Sequence, residues 1–281
     1  MQFIKCTREA LLKPLQIVGG IVEGRQTLPI LSNILINANG SEVNFTTTDL
    51  EIQIRTSGQI GIGSETVSAT VPAAKLIALL TALPNANTEV TMLTEGKKVV
   101  LRANNSRYTL SQMAAEEYPV LPMAEVEHTF TLPANTFKHL MQMVHFSMAQ
   151  QDIRYYLNGM LLSIDNGMVR TVATDGHRLA CCDASIELNL ELDKPIEAIL
   201  PRKTVHQLIK LLPDTDEPVQ VELCKTQARF TFGAIEFLSK LVDGKYPDYN
   251  RVIPQGNDKI FVTNREQLIG ALKRAAILAN E

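Results

Sequence analysis

The chain has 281 residues, 45% of them apolar and 20% charged, which is the composition of a soluble globular protein with room for about two domains of ordinary size. No apolar run approaches the roughly 20 residues of a membrane span, so a membrane-embedded role is excluded at the outset. A formal net charge of -3 excludes a protein that holds nucleic acid by sheer overall positive charge.

Read in chain order, the start Met1-Gln2-Phe3-Ile4-Lys5 lacks the apolar core and cleavage site of a secretory signal, which points to an intracellular, cytoplasmic protein. Phe3-Ile4-Lys5-Cys6-Thr7 leads into a helix over 7–18, kinked by Pro14. Alternating patterns predict strands over 42–45 and 50–55. Leu76, Leu79, Leu80 and Leu83 then give a helix over 72–83, opened by Pro72 and stopped by Pro84. Strands over 90–93 and 99–101 follow. Phe130-Thr131-Leu132-Pro133-Ala134 opens a helix over 133–145 through Phe137, Leu140, Met141 and Val144.

The middle of the chain reads SMAQQDIRYYLNGMLLSIDNGMVRTVATDGHRLA. It holds two strand-like runs, 155–164 and 168–173, joined by Asp165-Asn166-Gly167, a strong hairpin signal. A polar loop precedes the hairpin and a sharp break, Thr174-Asp175-Gly176-His177-Arg178, follows it. The two expose Arg154, Tyr155, Tyr156, His177 and Arg178 as either an active site or a docking surface. Val205, Leu208, Ile209 and Leu212 predict a helix over 201–212 bracketed by Pro201 and Pro213, followed by strands over 219–223 and 228–232.

The same paragraph is written twice and begun a third time. Phe3, Phe130 and Phe261 open similar segments at steps of about 127 and 131 residues. Thr48-Asp49 answers Thr174-Asp175, Val71-Pro72 answers Leu200-Pro201, and Tyr118-Pro119 answers Tyr246-Pro247, in the same order and at nearly the same spacing. This is a repeat of about 128 residues. The third copy supplies a first strand at Phe261-Val262-Thr263 and most of a helix, so the sequence reads as cut short. The class is α+β, with few helices packed on antiparallel sheets.

Five helix windows (7–18, 72–83, 133–145, 201–212, 264–276) carry ten basic and two acidic side chains, a surplus of eight, so everything else carries minus eleven. On the fourth, Lys203, His206 and Lys210 share a face opposite Val205 and Leu212. A basic helix face is ordinarily just solvated, yet the same bias in repeated helices suits a phosphate backbone met without sequence preference. A sequence-reading DNA module would need Arg, Asn and Gln readers on a recognition helix; here the helices present mostly Lys and small residues. Asp175 and His177 resemble the start of an acid–base pair, which leaves a hydrolase as a rival, but no activated Ser or Cys accompanies them. His139 and His145 are too far apart in register for a metal pair, Gly19-Gly20 lacks the ending of a phosphate loop, and an Asp after a strand, as at Asp49 and Asp175, more often fixes a turn than binds metal. No catalytic, metal or cofactor set emerges. Cys6, Cys181, Cys182 and Cys224 lack CxxC spacing; the adjacent pair alternates faces in a strand, so reduced thiols are expected.

LLKPLQIVGGIVEGRQTLPILSNILI, SMAQQDIRYYLNGMLL, TVATDGHRLA and FLSKLVDGKYPDYNRVIP together resemble the bacterial DNA polymerase III β subunit family, the sliding clamps, over the whole chain. The resemblance implies repeated clamp-type domains with antiparallel sheets outside and two helices per domain lining a central hole. It gives clamp domain 1 over 1–124, clamp domain 2 over 125–254 and the start of clamp domain 3 over 255–281. It implies a non-enzymatic processivity factor for replication, a head-to-tail homodimeric ring sliding on double-stranded DNA. The partners it implies are the DNA polymerase III catalytic subunit, the clamp loader, other DNA polymerases and mismatch-repair proteins. DNA contacts are then expected from Arg25, Gln151, Tyr155, Tyr156 and Lys203. A client-peptide pocket is expected from Arg154, Leu157, Thr174, Gly176, His177, Arg178, Leu179, Pro247, Arg251 and Val252. Ring closure would set Tyr108 and Leu110 of one subunit against Ile277 and Leu278 of the other.

Overall fold

The computed structural model describes residues 1–24, 27–63, 65–186, 188 and 192–279. The chain divides into two compact units, residues 1–245 and 246–281. Within the first unit one plan is laid down twice: strand, helix, four strands, helix, three strands. The first module runs β1 (Gln2–Thr7), α1 (Arg8–Gly19), β2 (Asn33–Asn39), β3 (Glu42–Thr48), β4 (Ile52–Gln59), β5 (Val67–Pro72), α2 (Ala73–Ala82), β6 (Glu89–Glu95), β7 (Lys98–Ala103) and β8 (Ser106–Ser111). The second runs β9 (Val126–Pro133), α3 (Ala134–Gln142), β10 (Gly159–Asp165), β11 (Met168–Thr174), β12 (Leu179–Ser185), β13 (Ile196–Pro201), α4 (Arg202–Leu211), β14 (Pro218–Cys224), β15 (Gln227–Phe232) and β16 (Ile235–Lys240). The repeat and the α+β class expected from the sequence are both present.

All strand pairs within these sheets are antiparallel. One four-stranded sheet has the order β1-β6-β7-β8 and another β12-β11-β10-β13. The modules meet edge to edge: β4 pairs with β16, Phe237 opposite Ile54, and this fuses a sheet of each into one of eight strands ordered β5-β2-β3-β4-β16-β15-β14-β9. Period-two alternation fixes which face is buried. Ile34, Ile36 and Ala38 of β2 and Val43 and Phe45 of β3 turn inward beneath α1 and α2, which bury Leu11, Leu15, Val18, Leu76 and Leu80. In the second module Phe137 of α3 stacks on Phe230 at 5.7 Å between ring centroids, and Phe230 meets Phe237 edge-on at 6.2 Å. Each such ring, fully buried, contributes about 1.5–3 kcal/mol.

Proline marks the helix starts as the pattern predicted. Pro72, Pro133 and Pro201 occupy the N-cap positions of α2, α3 and α4 at φ -56°, -63° and -56°, the ring-locked value a strand-to-helix corner accepts. Pro14 sits buried inside α1, which continues past it to Gly19. The hairpin forms as expected, β10 to β11 through Asn166 (φ 27°) and Gly167 (φ 82°).

Three expectations need correction. The run from 155 to 164 is not one strand: Tyr155–Leu157 is a single 3-10 turn, and β10 begins at Gly159. Gly159 is obligatory there, since a Cβ would stand 2.6 Å from the Leu200 carbonyl oxygen of β13. Phe261-Val262-Thr263 forms no strand; the segment is irregular up to Asn264, whose side chain caps the next helix, α5 (Arg265–Ala275), by accepting from the N–H groups of Glu266 and Gln267. The predicted strand over 50–55 starts later, because Asp49 to Glu51 are spent on a turn.

In the second unit α5 buries no residue, and Ile260, Phe261, Val262, Leu272, Ile277 and Leu278 are exposed. All four cysteines are free thiols, and Cys181 and Cys182 alternate along β12 as expected. Among the described residues no helix is long and apolar enough to cross a membrane, and no group of three His, Cys, Asp or Glu could hold a metal ion.

Candidate functional site

Two turns occupy equivalent places in the two modules and are built by the same four hydrogen bonds. After β3, Thr48 Oγ1 donates to the Ile52 carbonyl oxygen (2.8 Å) and accepts from the Leu50 N–H (3.0 Å). Asp49 Oδ1 accepts from the N–H groups of Glu51 (2.9 Å) and Ile52 (2.7 Å). After β11, Thr174 Oγ1 donates to the Arg178 carbonyl oxygen (2.8 Å) and accepts from the Gly176 N–H (3.1 Å). Asp175 Oδ1 accepts from the N–H groups of His177 and Arg178, both at 3.0 Å. The residue after each aspartate is left-handed, Leu50 at φ 76° and Gly176 at φ 88°. Short hydroxyl and carboxylate side chains reach back to nearby backbone, which is why Thr-Asp ends a strand this way.

The two turns part company at the second carboxylate oxygen. Asp175 Oδ2 accepts from Arg178 Nε at 2.9 Å, and Arg178 Nη2 reaches on to the Phe146 carbonyl oxygen at 2.7 Å. Asp49 Oδ2 is instead paired with the ammonium of Lys203, which crosses from α4 of the other module and also lies 2.6 Å from Glu23 Oε1. The spare carboxylate oxygen of the first turn is thus taken up at the module junction, whereas Gly176, His177 and Arg178 are exposed.

Beside the open turn lies the loop before β10. Asn158 ties it shut, its Oδ1 accepting from the Asp152 N–H (2.9 Å) and its Nδ2 donating to the Asp152 carbonyl oxygen (2.8 Å). Asp152 in turn holds Arg154 by a two-pronged pair, Nε to Oδ1 at 3.0 Å and Nη2 to Oδ2 at 2.8 Å. That guanidinium lies against Gly176, where a Cβ would stand 3.0 Å from Nη2. Glycine is favoured there by φ, and any side chain would also press on the arginine. Tyr155 and Tyr156 meet edge-on at 5.9 Å, with Tyr155 exposed and Tyr156 half-buried. A cavity of about 450 Å³ opens between loop and turn, walled by Phe146, Met148, Gln151, Asp175, His177 and Arg178 among others, with Arg202 anchored by a 2.9 Å bond to the Met148 carbonyl oxygen.

Electrostatics keep this surface ionised. The side-chain hydrogen bond from Arg154 pulls Asp152 down to about 2, and the N–H of His177 does the same for Asp175, also to about 2. With Asp175 Oδ1 filled by two backbone donors and Oδ2 by arginine, the aspartate supports the turn and bonds the backbone of His177 rather than its imidazole. An acid–base pair from these two residues has no geometric basis here.

Of the expected peptide-pocket residues, the first unit brings together Arg154, Thr174, Gly176, His177, Arg178 and the half-buried Leu179, while Leu157 is core at 2% exposure. Pro247, Arg251 and Val252 belong to the second unit, where Arg251 pairs with Asp248 at 2.9 Å and Val252 is exposed. Of the expected DNA contacts, Gln151 is exposed in left-handed conformation (φ 56°) next to Asp152, and Lys203 is engaged by two carboxylates. Arg25 lies outside the described residues. Tyr108 and Leu110 lie on β8, an edge strand, with Tyr108 half-buried and Leu110 turned into the core; Ile277 and Leu278 are exposed in the second unit.

Several basic helix residues are also spoken for. Arg8 donates to the Leu80 and Thr81 carbonyl oxygens, Lys13 pairs with Glu9, and Lys138 bonds Asp214 and the Leu212 carbonyl oxygen. Sequence reasoning missed Asp152, Asn158, Phe146 and Arg202 as supports of the site. Only the Asp-x-Arg spacing at 152–154 was a local signal for any of them.

Comparison with known proteins gives a consistent picture. The family model described as DNA polymerase III beta subunit, N-terminal domain, matches residues 1–122, and that described as DNA polymerase III beta subunit, central domain, matches residues 131–248. The chain is 43% identical over 274 residues to the beta sliding clamp of Pseudomonas aeruginosa, covering 98% of this chain and 74% of that protein. It is 41% identical over 281 residues to the beta sliding clamp of Haemophilus influenzae, covering 100% and 75%. Among solved structures, a DNA polymerase sliding clamp from Pseudomonas aeruginosa with ligand superposes with a TM-score of 0.94 at 42% identity, over 100% of this chain and 75% of that one. The sliding clamp from Bacillus subtilis gives 0.91 at 28% identity with the same coverage.

Proposed function

Since the chain belongs to the DNA polymerase III beta subunit family, whose members are the sliding clamps, we propose that it serves as a DNA polymerase processivity factor, a non-catalytic cytoplasmic protein that encircles and slides on duplex DNA. Its domains are 1–124, 125–254 and a third beginning at 255. In the closed assembly, a head-to-tail homodimeric ring, the sheets form the wall and the paired helices line the hole.

The observation that carries this reading is the junction of β4 with β16. It joins the last strand of the first half of one module to the last strand of the next. Among the edge strands of the first unit are β8, the counterpart of β16, and β12, the counterpart of β4. A joint already used once can therefore be used again at both ends, the heterologous contact from which closed rings are made. A hold on DNA by encirclement needs no tight grip, which reconciles a net charge of -3 with DNA work.

Contacts to DNA come from Arg25, Gln151, Tyr155, Tyr156 and Lys203. The client pocket is the open turn with Arg154, Thr174, Gly176, His177, Arg178 and Leu179 over the buried Leu157; family membership adds Pro247, Arg251 and Val252 as its further expected residues. An apolar anchor on the half-buried Leu179, with acidic or amide groups for the arginines and the histidine, is the peptide chemistry it suits. The replicative polymerase, the clamp loader, other DNA polymerases and mismatch-repair proteins would share it. Tyr108 and Leu110 meet Ile277 and Leu278 at ring closure. The test is retention of the assembled protein on a nicked circular duplex. Loss on linearisation is expected, and equal retention on linear DNA would reject encirclement.

A further inference from the structure

Lys203 is the residue on which two demands converge. It stands in the first turn of α4, yet its ammonium lies between two carboxylates of the preceding module, Glu23 just after α1 and Asp49 in the turn after β3. The partners are unequal. The Asp49 side chain is 8% exposed and its other oxygen is held by two backbone N–H groups, so it is fixed in place. Glu23 is 59% exposed, and no other hydrogen bond or ion pair of its carboxylate is found among the described residues. A cavity of about 290 Å³ walled by Glu23, Asp49, Glu51, Pro201, Lys203 and Thr204 opens beside the ammonium, so a ligand oxygen has a way in. Burial works to lower the Lys203 pKa, but the hydrogen bonds of Asp49 and Glu23 outweigh it and raise it, so the group that meets a ligand is a cation.

We propose that a DNA phosphate and Glu23 compete for the Lys203 ammonium across the module junction, so that DNA occupancy and cohesion of that junction oppose one another. The inference rests on the DNA-encircling reading above and adds a coupling to it. Lys203 is one of several ties between the modules. Gln207 Nε2 donates to the Gly20 carbonyl oxygen at 3.0 Å, and Lys240 meets Glu51 at 3.3 Å. The junction therefore yields without parting when Glu23 is displaced. Linkage makes the effect reciprocal: whatever weakens the Glu23–Lys203 pair must strengthen the hold on phosphate.

The test is a double-mutant cycle on duplex affinity, read as fluorescence anisotropy of a labelled duplex with the full chain at low salt, using Glu23→Gln, Lys203→Met and both together. Glu23→Gln alone is expected to tighten binding about twofold to fivefold, the scale of one exposed charge pair. Lys203→Met is expected to lower the salt slope by about one phosphate contact and to abolish the gain from Glu23→Gln. The same gain in both backgrounds would reduce the effect to the general field of a removed negative charge and overturn the proposal. No gain in either background would make Lys203 a fixed tie and overturn it as well. If the parent chain gives no salt-dependent duplex binding, the DNA reading itself fails, a result distinct from loss of coupling alone. Thermal melts of all three variants confirm that each is folded.

Discussion

Tyr118 gives a sharp test of how the turns are supported. Its ring is 5% exposed, its hydroxyl donates to the Asn33 carbonyl oxygen at 3.1 Å, and the same oxygen accepts from the Thr48 N–H at 3.3 Å. One phenol thus ties the start of β2 to the residue that opens the Thr48-Asp49 turn. Tyr118→Phe keeps the ring and takes from two buried residues the hydroxyl that their backbone groups bond. With each hydrogen bond worth about 0.5–1.5 kcal/mol net and a stranded polar group costing about 1–3, the loss should be about 2 kcal/mol. For a unit of this size that is about 4–8 °C in Tm. Alkali supplies the second readout. Burial pushes the Tyr118 phenol up to about 12, against the opposing pull of the Thr48 N–H, while an unfolded tyrosine titrates near about 10. A group whose folded pKa is raised contributes stability that is complete below the unfolded value. That contribution is lost as pH climbs from about 10 to about 12, some 2–3 kcal/mol in all. The Phe variant should lack this share of the alkaline decline in urea-melt stability. Equal midpoints at neutral pH, or an unchanged alkaline slope, would refute the role assigned to the hydroxyl.

Three further outcomes follow from the open turn. Gly176→Ala must hold a left-handed φ of 88° and push on Arg154, so a loss of about 1–2 kcal/mol in stability is expected by denaturant melt, with weaker client-peptide binding. Changing Arg154, His177 or Arg251 to Ala should weaken client peptides at least about fivefold while sparing assembly, measured by fluorescence polarisation and sedimentation; unchanged peptide affinity would remove these residues from the pocket. Asp175, held down to about 2, contributes stability that is present above the unfolded carboxylate value near about 4 and is lost as pH falls toward 2. NMR titration of its carboxyl should show that low midpoint, and Arg178→Ala should move it upward.

What the sequence made legible was whatever is local. Proline at a strand-to-helix corner constrains its own φ, so the starts of α2, α3 and α4 were readable to within a residue. The Asn166-Gly167 turn was readable because only a few residue types take positive φ cheaply. Where the reading failed, the missing information lay elsewhere in the chain. Tyr155 to Leu157 carry strand-like side chains, but the loop there is closed by Asn158 bonding back to Asp152, and the turn wins. Phe261 to Thr263 have strand propensity, but a strand is a ladder and needs a partner that their own residues do not specify. Lys203 was legible as a cation on a helix face; its carboxylates lie 154 and 180 positions away in sequence and were not.

The same distinction explains why two equivalent turns do different work. Thr48-Asp49 and Thr174-Asp175 close with four matching hydrogen bonds, so the repeat dictates identical backbones. Function enters through what each turn is offered. The first is placed against α4 by the β4–β16 junction, its spare carboxylate oxygen is taken by Lys203, and the half-buried Leu50 at its left-handed position packs on the Ile30, Leu31, Leu35 and Tyr118 cluster. The second has no following module to cover it within residues 1–245. Its spare oxygen is taken from within by Arg178, and its left-handed position is a glycine against which the Arg154 guanidinium lies. A tandem repeat therefore turns one structural motif into a joint at one copy and an open cleft at the next. The exchange of Leu50 for Gly176 and of Ile52 for Arg178 is the chemical difference that matters most.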